Sequence, residues 1–267
     1  MLAPLDLLKN MQKIHIDKDG VIATVTLSNP GKLNALDLSM WRGLTDTFRA
    51  LSDDDSLRCV IVTGADGNFA AGADIEEFAS VRSNFEQGFD YHTKSIANAL
   101  DAIATCKHPT IAAIDGVCVG GGLEIASACD LRIASPAARF GIPINRLGFP
   151  LAPGEFQGLL QLVGKAVALE ILLEGRVFDA AEAKDKGMLH RIVDDVPAEA
   201  RQAAQRIAQG APLAARMNKL LARRLSPPVP PLSVEELREA FSFFHSDDYR
   251  EGIRAFLEKR KPDFKGQ

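Results

Sequence analysis

The chain has 267 residues, 46% of them hydrophobic and 25% charged, ordinary proportions for a globular protein with a sizeable core. A formal net charge of −4 and a pI near 5.8 give no overall attraction to nucleic-acid phosphates or an anionic membrane surface, so an anionic substrate needs a local basic patch. Four cysteines, Cys59, Cys106, Cys118 and Cys129, lack the close pairing of a zinc site or redox dithiol and are expected as buried thiols of a reducing compartment.

The opening MLAPLDLLKNMQK has neither the apolar stretch nor the cleavage site of a secretory signal. No run approaches the ~20 consecutive apolar residues of a membrane span. A cytoplasmic location is expected. Ile14 and Ile16, followed by VIATVTL at 21–27, predict a hairpin across Asp19-Gly20. Leu38, Trp41, Leu44, Phe48 and Leu51 recur at helical spacing behind Asp37, which predicts an amphipathic helix with an aspartate N-cap. Cys59 to Val62 and Thr110 to Ile114 read as buried strands, each running into a glycine-containing loop, with a helix over 85–104 between them. Strand, helix, strand in that order implies parallel pairing with right-handed crossovers. Leu131 to Ala134, Arg139-Phe140 and Leu189 to Val193 read as further strands. From Pro197 onward the pattern is helical only, over 197–209, 212–225, 233–245 and 247–260, with SPPVPP at 226–231 as a stiff linker. Those helices carry more apolar stripe than they can bury alone, so they are expected to pack on another subunit or on the main domain.

Two loops carry the chemistry. Gly67 to Ile75 (GNFAAGADI) and Gly116 to Glu124 (GVCVGGGLE) each place small residues after a strand and before a helical stretch, where another molecule can approach the backbone. Three consecutive glycines weaken a helix, so their place before LEIASAC calls for a backbone reason. A helix beginning near Gly121 points free N–H groups and the positive end of its dipole outward. Taken singly, either loop is equally a tight turn. Neither has the spacing of a nucleotide-phosphate loop.

KLNAL at 32–36, NFAAGADI at 68–75, the GGG-Leu-Glu run at 120–124, Asp130, FGIP at 140–143, AAEAKDKGMLHRIV at 180–193 and EGIRAFLEKRKPDF at 251–264 occur in the order of the enoyl-CoA hydratase/isomerase (crotonase) family. The chain resembles that family over nearly its whole length. The resemblance implies an α/β fold with a spiral ββα core at 1–196 and a C-terminal helical trimerisation region at 197–267, assembling as trimers or dimers of trimers. It implies an acyl-CoA substrate held without metal or redox cofactor, while the acidic balance and lack of a clear basic face set the expectation of no nucleic-acid or membrane partner. The N–H groups of Ala73 and Gly121 would form an oxyanion hole for the thioester, with Glu124 as the first catalytic carboxylate. Lys32, Leu33, Ala35, Phe69, Ala71, Asp74, Ile75, Gly120 and Ile144 would line the CoA and acyl site. Lys259, Arg260, Lys261 and Lys265 are further candidates for the CoA phosphates.

One position departs from the family pattern. Hydratases of this family carry a second glutamate directly after the FGxP turn, where this chain has Ile144. Adding water across a double bond needs one group to activate the water and another to supply the α-proton. Glu155, His92, Tyr91 and Asp90 are candidates for the missing role, and Asn145 and Arg146 for holding a water or an acyl carboxylate. An enoyl-CoA hydratase or isomerase is the first expectation. A crotonase-fold thioester hydrolase or decarboxylase, or a catalytically weak acyl-CoA-binding protein, is the alternative that Ile144 keeps open.

Overall fold

The computed structural model describes residues 13–226 and 232–265. The leader reading of the first twelve residues and the proline linker at 227–231 lie outside them. In chain order the strands are β1 (Ile14–Asp19), β2 (Ile22–Leu27), β3 (Cys59–Gly64), β4 (Thr110–Ile114), β5 (Val117–Val119), β6 (Leu131–Ala134), β7 (Arg139–Gly141), β8 (Phe178–Asp179) and β9 (Arg191–Ile192). β1 and β2 form the expected antiparallel hairpin, with Asp19 opposite Ile22. From β2 the main sheet continues in parallel through β3, β4, β6 and β9, and a small second sheet has the order β5-β7-β8.

The helices are α1 (Leu38–Asp53), α2 (Phe78–Val81), α3 (Phe85–Asp90), α4 (Ala97–Thr105), α5 (Gly121–Ala128), α6 (Pro153–Glu174), α7 (Ala180–Asp185), α8 (Val196–Gln209), α9 (Pro212–Leu225), α10 (Val234–Ala240) and α11 (Asp247–Leu257). Asp37 caps α1 as expected, its side chain accepting from the Met40 N–H at 2.9 Å. The central strands are buried on both faces, which explains why they read as unbroken apolar runs. Val60 and Val62 join the cluster that contains Trp41, Phe48 and Ile103. Cys59 and Ile61 face the other way, with Ile111, Ala113 and Ile133, onto Val196, Ala200, Ala203 and Ala204 of α8. All four cysteines are buried and free.

The structure revises several expected boundaries. The helix foreseen over 85–104 is three pieces: α3, a π-helical turn at Tyr91–Ile96, and α4. The helix foreseen over 233–245 ends at Ala240 and passes into a 3₁₀ turn, Ser242–His245. Of the late helices, expected to pack on another subunit or on the main domain, α8 covers one face of the main sheet. Helix α6, 22 residues, is long and apolar enough to cross a membrane by length and composition alone. Gln157, Gln161 and Lys165 interrupt it, so no continuous apolar run appears in the sequence. Gly164, at φ 72° and ψ 170°, divides it into two helices.

Candidate active site

The two glycine loops meet. Residues 72–74 run beside Leu36, whose N–H donates to the Gly72 carbonyl at 2.7 Å and whose carbonyl accepts from the Asp74 N–H at 2.8 Å. That parallel pairing turns the Ala73 N–H to the opposite side. Asn34 fastens the arrangement from behind. Its amide donates to the carbonyls of Ala65 and Asn68, both at 2.8 Å. A second bridge pairs Ala70 with Cys118: the Ala70 N–H donates to Val117 at 2.9 Å and the Val119 N–H to Ala70 at 3.0 Å.

Gly120 then takes φ 53° and ψ −122°, outside the range of ordinary L-residues, and turns the chain into α5. A Cβ on Gly122 would lie 2.3 Å from the Ala70 carbonyl oxygen, so only glycine lets the helix seat against the first loop. The Glu124 N–H donates to Gly120 O at 3.0 Å, closing the first helical turn and leaving the N–H of Gly121 ahead of it. Ala73 and Gly121 both line one cavity of about 530 Å³. Their N–H groups, together with the dipole of α5, suit an oxygen that gains negative charge.

Glu124, one turn into α5, lines the same cavity and is buried. Burial raises its carboxyl well above the ordinary range, and the nearby charge of Glu155 raises it further. Glu155 stands in the first turn of α6, also buried, also on the cavity wall. Burial pushes its carboxyl up, while the Arg82 guanidinium and a backbone hydrogen bond at Ala152 oppose the rise. Its Oε1 lies 2.6 Å from Nδ1 of His92, on the π-helical turn. Burial and the Arg82 charge push the imidazole well below its usual range, so the pair is held uncharged. π-helical turns of this kind recur at functional sites. Here the turn brings Tyr91 and His92 to the cavity wall.

The cavity therefore holds two buried carboxyl groups, and the second comes from α6. Ile144 sits half-buried in a 3₁₀ turn, Ile144–Leu147, and contributes an apolar wall. The sequence offered Glu155 and His92 only as separate candidates for the missing role. Their pairing spans 63 positions and no local spacing announces it. Arg82, which the sequence reading did not single out, also lines the cavity.

Lys32, Ala35, Ala71, Asp74, Ile75 and Gly120 all fall on the cavity wall. Two expected residues do not. Phe69 is wholly buried in the main core, its side chain inward because Ala70 pairs with Cys118. Leu33, at φ 49°, is 52% exposed and outside the wall. Among the cations considered for CoA phosphates, Lys32 is paired with Asp74 at 2.7 Å and Glu76 at 2.8 Å, Arg260 with Glu251 at 2.6 Å, and Lys265 with Asp263 at 2.7 Å. Asn145 donates to the Leu173 carbonyl at 2.9 Å, whereas Arg146 reaches the wall. Among the described residues no group of three His, Cys, Asp or Glu side chains is placed to hold a metal ion.

Two glycine-rich loops that meet on one cavity, carried by a hairpin-edged parallel sheet with a second small sheet beside it, define a crotonase-fold protein. A profile described as Enoyl-CoA hydratase/isomerase matches residues 17–267, and the chain belongs to that family. The probable enoyl-CoA hydratase echA8 of Mycobacterium bovis is 38% identical over 256 residues, covering 95% of this chain and 98% of that one. A probable enoyl-CoA hydratase of Bacillus subtilis is 34% identical over 262 residues, covering 96% and 100%. Among solved structures, an enoyl-CoA hydratase/carnithine racemase from Magnetospirillum magneticum superposes with a TM-score of 0.79 at 46% identity, covering 96% of this chain and 97% of that one. A methylmalonyl-CoA decarboxylase in complex with 2-nitronate-propionyl-CoA superposes with a TM-score of 0.86 at 26% identity, covering 96% and 99%.

Proposed function

We propose that the protein catalyses reversible hydration of a 2-enoyl-CoA, using Glu124 and the Glu155–His92 pair as its two proton-handling groups. The observation that carries the reading is that both buried carboxylates share one cavity with the Ala73 and Gly121 N–H groups. The thioester oxygen sits between those two donors. As water adds at the β-carbon, electron density moves through the α-carbon to that oxygen, and the donors stabilise the enolate. Burial raises both carboxyls, and an ionised Glu155 raises Glu124 further, so ionising one keeps the other neutral. The charged one takes the proton from water. The neutral one gives its proton to the α-carbon, and reversal of these roles gives dehydration.

Spectrophotometry with crotonyl-CoA tests this reading. Loss of enoyl absorbance without release of free thiol is expected, and Glu124→Gln and Glu155→Gln should each lower kcat by about 10²–10⁴-fold. Thiol release instead of hydration, or full turnover in both variants, would sink it.

The same reading expects a homotrimer or a dimer of trimers. Support comes from α9, whose Leu213, Leu220 and Leu225 are 74%, 56% and 77% exposed, an apolar stripe that a single chain leaves in water.

A further inference from the structure

Arg82 is a buried cation that forms no ion pair among the described residues. It is 1% exposed, on the chain between α2 and α3, and forms no ion pair with Glu124 or Glu155. Its Nε donates to the Tyr249 hydroxyl at 3.1 Å, while Nη2 is buried without a hydrogen-bond partner among the described residues. The guanidinium carbon lies 4.2 Å from the centre of the Phe78 ring, 4.4 Å from that of Phe149 and 5.1 Å from that of Phe244. Ring faces offset part of the cost of removing the charge from water, but they offer no lone pair to the remaining N–H groups. Natural proteins rarely leave a buried guanidinium so. A carboxylate from the chain would settle it, yet Glu155, whose charge is felt at Arg82, is hydrogen-bonded to His92.

What remains is the cavity, which Arg82 lines together with Glu124, Ile144 and the two loops. We propose that Arg82 receives a carboxylate carried on the acyl group, so that the protein acts on CoA monothioesters of dicarboxylic acids rather than on simple fatty-acyl thioesters. A planar fork of N–H donors suits a carboxylate better than any neutral acyl end. The aromatic surround holds the fork in place and keeps water from competing for it. This inference rests on the acyl-CoA reading given above. Arg146, also on the wall but exposed, is the rival receptor.

Calorimetric binding of length-matched saturated thioesters separates the possibilities: succinyl-, glutaryl- and adipyl-CoA against butyryl-, pentanoyl- and hexanoyl-CoA. At least one dicarboxylic member should bind about ten- to a hundredfold more tightly than its monocarboxylic match, the range expected of hydrogen bonds to a charged group. Arg82→Met should erase that preference while leaving the monocarboxylic affinities within about twofold, and Arg146→Gln should leave it intact. Arg82→Lys, which keeps the charge, should retain part of the preference and guards against a folding artefact. Equal affinities within every matched pair in the native protein would overturn the proposal, as would a preference that survives in Arg82→Met or vanishes in Arg146→Gln. If the dicarboxylic and monocarboxylic thioesters alike fail to bind, the acyl-CoA reading itself falls and this inference with it.

Discussion

Glu155 carries a cost that depends on pH. Its carboxyl is pushed up to about 8 in the folded chain from an ordinary 4.5, so between those values the native state holds a proton that the unfolded chain has released. Stability from this group is full below the unfolded value and is lost as pH rises through the folded one. Glu155→Gln, which keeps a partner for His92 but cannot ionise, should therefore leave Tm little changed at pH 5 and raise it relative to the native chain at pH 8–9, by about 2–4 °C for each kcal/mol recovered. A Tm difference that does not grow with pH would show that the carboxyl is not held protonated. At this scale the sequence was half legible. Ala73, Gly121 and Glu124 sit inside short motifs whose glycines advertise a backbone purpose. His92, Glu155 and Arg82 are single polar residues on three separate elements, and only the fold brings them to one wall.

Among elements, the register between α5 and the first loop decides whether the Ala73 and Gly121 N–H groups can act together on one oxygen as proposed. Gly122 sets that register, because any side chain there meets the Ala70 carbonyl and displaces the helix. Gly122→Ala should lower kcat on an active enoyl thioester by about 10²–10³-fold, the loss typical of one missing oxyanion donor, although Glu124 itself is untouched. Unaltered kcat would mean that the loops tolerate the shift and the register is unimportant. Strands β3 and β4 and helix α1 were legible because their apolar patterns run for at least a full turn or several pleats. The small sheet of β5, β7 and β8 was only glimpsed at Arg139-Phe140, since strands of two or three residues are too short to show alternation. The π-helical turn was invisible: its side chains look like those of any helix, and only the hydrogen-bond pattern differs.

For the whole molecule, the apolar stripe on α9 makes self-association the expected way to cover exposed leucines. Light scattering coupled to size exclusion should give the mass of a trimer or its dimer, and the double substitution Leu213→Glu and Leu220→Glu should shift it toward the monomer of 28.8 kDa. A native chain that elutes as a monomer would refute the assembly. Sequence order alone anticipated that the chain's last part is helical and offered its Lys259, Arg260, Lys261 and Lys265 to the CoA phosphates, but it did not single out the aromatic residues that reach the cavity. Phe256 lines the wall, Tyr249 holds Arg82, and α11 packs so closely on the turn at Ile144–Leu147 that a Cβ on Gly252 would lie 2.4 Å from the Leu147 carbonyl oxygen. Synthesis on the ribosome proceeds from the other end, at ~5–20 residues per second. Both oxyanion loops emerge with the first half of the chain, while Tyr249 follows on the order of ten seconds later. Until then a nascent chain lacks the Tyr249 hydroxyl for Arg82 and the Phe243 and Tyr249 rings that pack on Phe149. A truncated translation product would display that aromatic patch permanently, as a target for chaperones or proteases.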